Sequence, residues 1–171
     1  MAEGACGVSE EAAAALRFWL EEVPPEKRFA QDDALDAECA RRFGALRERV
    51  IASHAAEWRG SPHAILPAII LVDQFSRNIF RGDARAYAAD PLARALGREA
   101  LIRGWDAGLS PYERQFLYLP FMHGETMADQ VCSLALFTQP GLEMARDFAI
   151  EHASEIARDG RFKARDAALG R

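Results

Sequence analysis

Apolar residues recur at every third or fourth position through most of this chain. Strict alternation bounded by hairpin signals occurs nowhere, so the pattern predicts helices throughout. The most apolar stretch is Ala64 to Gly82, entered through Ser61-Pro62, a capping hydroxyl followed by proline at the first helical position. At about 100° per residue, Ile65, Leu66, Ala68, Ile69, Ile70, Val72, Phe75, Ile79 and Phe80 cover well over half of its circumference. A helix apolar over so much of its surface belongs in the middle of a packed domain. Yet Asp73 falls on the wheel between Ile69 and Leu66, and Arg77 falls between Leu66 and Ile70. A carboxylate and a guanidinium on such a face must find each other or another partner, because an unpaired buried charge is very costly.

The remaining pattern predicts further helices in order. Residues 1–8 read as a loose leader, and Ser9-Glu10-Glu11 opens a helix whose aromatic face includes Phe18 and Trp19 and which Pro24-Pro25 stop. A second helix is predicted from Asp32 to Trp58 on Leu35, Cys39, Phe43, Leu46, Val50 and Ile51, with Arg41, Arg42, Arg47 and Glu48 on a solvated charged face. After the central helix, Asp90-Pro91 starts another by a cap-plus-proline signature, and Ser110-Pro111-Tyr112-Glu113 forms a capping box. Pro120 kinks or ends that helix before His123-Gly124-Glu125, and Thr126 to Asp129 opens the next. A last long helix runs from Leu142 to Ala157, followed by a basic C-terminal tail over 159–171. The expected fold is a single all-α domain over 1–171, built of stacked antiparallel helical hairpins. No fixed repeat period or tetratricopeptide signature is readable in the residues.

Composition narrows the function classes. Half of the residues are hydrophobic and 27% are charged, the profile of a folded soluble chain. A net charge of −5 with no basic run argues against nucleic acid as a partner. The longest apolar run, Ala64 to Val72, is far short of the roughly twenty residues that span a membrane. Glu3, Glu10 and Glu11 leave no basic lead-in for a secretory signal, and Cys6, Cys39 and Cys132 show no paired spacing. A cytoplasmic location is expected.

Candidate chemistry gathers on a few polar residues. Asp73 and Arg77 form either a structural ion pair or a fork, with Arg77 presented to an anionic ligand and Asp73 orienting it. His152 sits on the apolar stripe of the last long helix. There it is either a core histidine donating to a carbonyl or, facing Asp73, the imidazole of a general base. His123 and Glu125 lie at a helix break where side chains can point into a groove. Metal ligation is not expected, since no His-x-x-x-His or Glu-x-x-His pair shares a helix face. No cofactor is expected either: phosphate-binding loop, dinucleotide fingerprint and nucleophile elbow are all missing.

The run Ile70-Leu71-Val72-Asp73-Gln74-Phe75-Ser76-Arg77-Asn78-Ile79-Phe80-Arg81-Gly82 resembles a mostly bacterial family known as domain of unknown function 924. The likeness continues at Ala86 to Leu92, at Glu113 to His123, at Asp129-Gln130, at Ala149 to His152 and at Gly160-Arg161-Phe162. It implies a tetratricopeptide-like right-handed superhelix and brings no established activity. Departures fall at the C-terminus. Where the family typically reads Arg-Phe-Pro-His-Arg-Asn, this chain has Lys163, Ala164 and Asp166 in place of proline, histidine and asparagine. If the family's site uses that histidine, this chain keeps only binding. The chain also stops at Arg171, where relatives commonly run on with an acidic segment.

Two functional expectations result. The favoured one is a non-catalytic binding or scaffold module whose polar groove takes a peptide or small anionic ligand. Asp73, Arg77, Arg81, His123 and His152 would be the ligand-binding residues. The alternative is a small-molecule enzyme, of hydrolase or lyase type. It would use Asp73, His123, Glu125 and His152 as base, acid or ligands, and it requires those four side chains to converge on one pocket. Oligomeric state is left open.

Overall fold

The structure, a computed structural model, describes the backbone of residues 3–171 and the side chains from residue 10 onward. Eight α-helices make up the fold, with no strand among the described residues. They are α1 (Glu3–Arg17), α2 (Asp33–Ala52), α3 (Pro62–Ile79), α4 (Asp90–Ile102), α5 (Pro111–Met122), α6 (Met127–Leu136), α7 (Glu143–Asp159) and the short α8 (Asp166–Leu169). The helical backbone thus starts at Glu3, which corrects the loose leader over residues 3–8; residues 1 and 2 lie outside the described residues. From α2 to α7 each helix packs against the next, and α3 also touches α1 and α5.

Helix α3 is the axis of the packing, as its wrap-around apolar pattern predicts: every residue from Ile65 to Ser76 is buried. Phe75 meets Trp19 edge-on with ring centroids 5.3 Å apart, and Phe43 at 5.1 Å, joining α3 to the turn that follows α1 and to α2. Ser61 occupies the N-cap of α3, but its side chain makes no capping bond, so proline alone marks the start. After α1 the chain widens into a π-helical turn, Phe18–Glu22. Arg28 folds back to donate to the carbonyls of Trp19 and Leu20 at 2.6 and 3.0 Å, satisfying groups the turn leaves free.

Two local expectations change. Helix α2 ends at Ala52 instead of Trp58, because His54 and Ala55 take the left-handed conformation and close a tight turn. Arg47 is not on a solvated face. It is buried, donating to Ser76 Oγ at 2.7 Å with its guanidinium 4.8 Å from the Phe80 ring centroid. The basic tail after Gly160 is an ordered segment. Gly160 closes α7 at φ +71°, and Lys163–Arg165 and α8 then fold back over the helices.

Candidate functional site

The charged couple on α3 anchors the site. Asp73 is fully buried, and its Oδ1 receives Arg77 Nη1 at 2.8 Å and His123 Nδ1 at 2.8 Å. Gln74 Nε2 donates to Oδ2. Arg77 turns its fork onto Asp90, with Nη1 and Nη2 reaching the two carboxylate oxygens at 2.9 and 3.0 Å. Asp90 was expected to cap α4. That cap falls to Ala89 and makes no side-chain bond, so the Asp90 carboxylate is free to face Arg77.

These contacts set the protonation states. Burial alone would push the Asp73 carboxyl up, but Arg77 and the hydrogen-bonded His123 outweigh it and hold the group well below the usual carboxylate range. Burial, joined by the charge of Arg77, presses His123 below its ordinary value, and Asp73 offsets this only in part. Around neutral pH the pair is therefore a carboxylate and a neutral imidazole. An ionised carboxylate only accepts, so the proton sits on Nδ1 and the lone pair on Nε2.

The backbone aims His123. It caps the C-terminus of α5, and the turn behind it is pinned by Gln130, whose Nε2 donates to the carbonyls of Met122 and Gly124 at 2.9 and 2.6 Å. Gly124 is required there: a Cβ would come within 2.5 Å of Asp129.

An open pocket of about 330 Å3 lies over this pair. Arg77, Arg81 and Tyr87 line one side, His123 and His152 the floor, and Phe162, Ala164 and Arg165 the outer wall. His152 reaches the pocket from α7 with its ring centroid 6.4 Å from that of His123. Its Nδ1 donates to the Phe148 carbonyl at 2.8 Å as the first expectation had it, but the ring is only half-buried and is not part of the core. The imidazole that Asp73 holds is His123.

Of the residues picked out from sequence, Asp73, Arg77, His123 and His152 are brought together. Arg81 lines the pocket rim, but it grips Asp36 at 2.6 and 2.8 Å. Glu125 stands apart from the pocket lining. Its Oε1 accepts from the Phe162 amide at 3.0 Å and from Arg171 at 2.5 Å, which makes it the latch of the C-terminal segment. Four residues went unassigned in the sequence: Tyr87, Asp90, Phe162 and Arg165. Arg165 lies 4.7 and 4.5 Å from the ring centroids of Tyr87 and Phe162 and donates to the His123 carbonyl at 3.0 Å. Its signals in the sequence were membership of a basic tail and its match to the second arginine of the family's C-terminal pattern. Among the described residues, no group of three His, Cys, Asp or Glu is placed to hold a metal, and no helix is long and apolar enough to cross a membrane.

Comparison with known proteins adds the family and the fold. Residues 15–171 match the profile of a family described as bacterial protein of unknown function, DUF924. Among solved structures, a protein of unknown function, ATU0120 from Agrobacterium tumefaciens, is 36% identical with a TM-score of 0.90, over 96% of this chain and 92% of that one. Comparison with curated proteins finds no match.

Proposed function

The chain belongs to the DUF924 family of bacterial proteins of unknown function, and on that footing we propose that its pocket binds a small polar molecule on which His123 acts as a general base. The observation that carries this is the 2.8 Å contact between His123 Nδ1 and the buried Asp73 carboxylate. A carboxylate behind an imidazole fixes its tautomer and stabilises the imidazolium that forms when Nε2 takes a proton. A base must be neutral to take a proton, and the lowered proton affinity of His123 keeps it so around neutral pH. Perturbed titratable groups gathered in one concave pocket are the usual mark of a reactive site.

The test is depletion of a mixture of small polar metabolites, followed by mass spectrometry, with wild type and His123→Gln side by side. The expected outcome is at least one compound consumed by wild type and spared by the variant. Identical profiles from the two proteins would overturn the proposal.

A second reading, a purely binding pocket for a peptide or small anion, draws on the three guanidiniums of Arg77, Arg81 and Arg165 that line one cavity. Each of them already faces a carboxylate of the protein itself, which supports this reading less well.

A further inference from the structure

The two imidazoles of the pocket share one orientation. His123 gives its Nδ1 proton to Asp73, and His152 gives its own to the carbonyl of Phe148. Both partners are acceptors only, so each Nδ1 carries its proton and each Nε2 is turned to the other side of its ring. Among the described residues neither Nε2 has a protein partner, and neither is a buried atom left without one, so both are accessible on rings that line the pocket. With ring centroids 6.4 Å apart, the floor is a pair of hydrogen-bond acceptors that one small molecule can span.

The surrounding charges select among donors. Three guanidiniums line the pocket, but Arg77 is held by Asp73 and Asp90, Arg81 by Asp36, and Arg165 by Asp90 and Glu125. A phosphate or carboxylate would bring lone pairs to lone pairs at the floor and would be repelled by the carboxylates already paired with those guanidiniums. An ammonium would find the two acceptors but sit beside three guanidiniums. A neutral molecule carrying hydroxyl groups meets neither penalty. At about 330 Å3 the pocket is at the small end of the roughly 300–1,000 Å3 typical of small-molecule sites.

We propose that the ligand is a neutral polyhydroxylated molecule of about monosaccharide size, two of whose hydroxyls donate to Nε2 of His123 and Nε2 of His152. This rests on the reading of His123 as an open imidazole facing a ligand. It also identifies the group the base would act on, a ligand hydroxyl.

The test is calorimetric titration of wild type, His123→Asn and His152→Phe with neutral hexoses and inositol, with a hexose phosphate and with an amino sugar. Circular dichroism confirms that each variant is folded. The expected result is binding of a neutral polyol by wild type, at least tenfold weaker binding of its charged analogues, and at least tenfold loss in each variant. Tighter binding of the phosphate would overturn the proposal in favour of an arginine-governed anion site. So would the absence of binding by every neutral polyol, or binding indifferent to both substitutions. The two proposals fail separately. A polyol bound but never consumed leaves the ligand class standing and ends the base reading. Histidine-dependent consumption of a compound without hydroxyls does the reverse.

Discussion

The floor of the pocket and its outer wall are built from the same kinds of charged side chain, yet they are held in opposite ways. On the floor, Asp73 has no exposed surface, and its partners Gln74, Arg77 and His123 come from α3 itself and from the end of α5. On the wall, Phe162 is buried, and so is most of the Arg165 side chain, beside Asp90 and the His123 carbonyl. The rest of the segment after Gly160 is fastened by Glu125 to Arg171 and by Asp166 to Arg161 and Arg171, all pairs with a substantial share of exposed surface. Two carboxylates, Glu125 and Glu155, also accept the backbone amides of Phe162 and Lys163. A buried charge with one partner removed is strongly destabilising, while an exposed pair contributes little. The floor is therefore fixed with the core, and the outer pairs of the wall are the part that can yield when a ligand enters.

The largest test of that contrast is Asp73→Ala. It strands the His123 Nδ1 proton and removes one of the two carboxylates from Arg77, at a cost of about 3–5 kcal/mol, or roughly 10 °C in Tm for a chain of this size. Acid should do the same reversibly. His123 has a folded-state value below its ordinary one, so the unfolded chain takes up its proton first as pH falls. Stability from this group is complete above the ordinary value of 6.5 and is lost as pH drops from there through the lower folded-state value. Asp73, also lowered, adds a second loss as pH falls below its ordinary value of 3.8. Thermal melts between pH 8 and pH 3 should show a wild-type decline that starts near the first of these values and is muted in His123→Gln. A decline that begins only near the second would show that His123 is not held as described.

Next in size is Gly124→Ala, which forces a Cβ to within 2.5 Å of Asp129 in the turn that aims His123. Overpacking of this kind costs about 1–3 kcal/mol. Denaturant melts report the loss, and a shifted His123 ring resonance would report the re-aimed side chain. Unchanged stability would mean that the turn adapts, and that the floor is less rigid than its burial implies.

How far these features were legible follows from the same contrast. The burial of α3 and the conflict posed by Asp73 and Arg77 were readable, because helical periodicity places side chains within one element and charge cannot be left alone on an apolar face. The choice of His123 over His152 as the partner of Asp73 was not readable, since it depends on how α5 and α7 cross α3. Asp90 read as a cap for a local reason, its place before Pro91, and only the tertiary fold reveals that Arg77 competes for its carboxylate. Arg165 was hidden by composition. In a short basic stretch nothing local separates a guanidinium set against Tyr87 and Phe162 from one facing water. Glu125 was picked for chemistry because it sits beside a histidine at a helix break, but its partners lie dozens of residues away in the C-terminal segment.

The smallest effect belongs to the wall and is the sharpest check on the comparison. Glu125→Gln keeps an oxygen that can accept from the Phe162 amide and removes the charge that faces Arg171 and Arg165. Global stability should fall by only about 0.2–1 kcal/mol. Amide exchange across residues 161–171 should quicken several-fold while that of α3 stays unchanged, because the segment opens without the core. Raising the ionic strength should produce the same local quickening in wild type, since exposed pairs are screened and the buried Asp73 couple is not. If Glu125→Gln instead lowers Tm as far as Asp73→Ala does, wall and floor unfold as one unit, and the wall cannot yield to a ligand independently of the core.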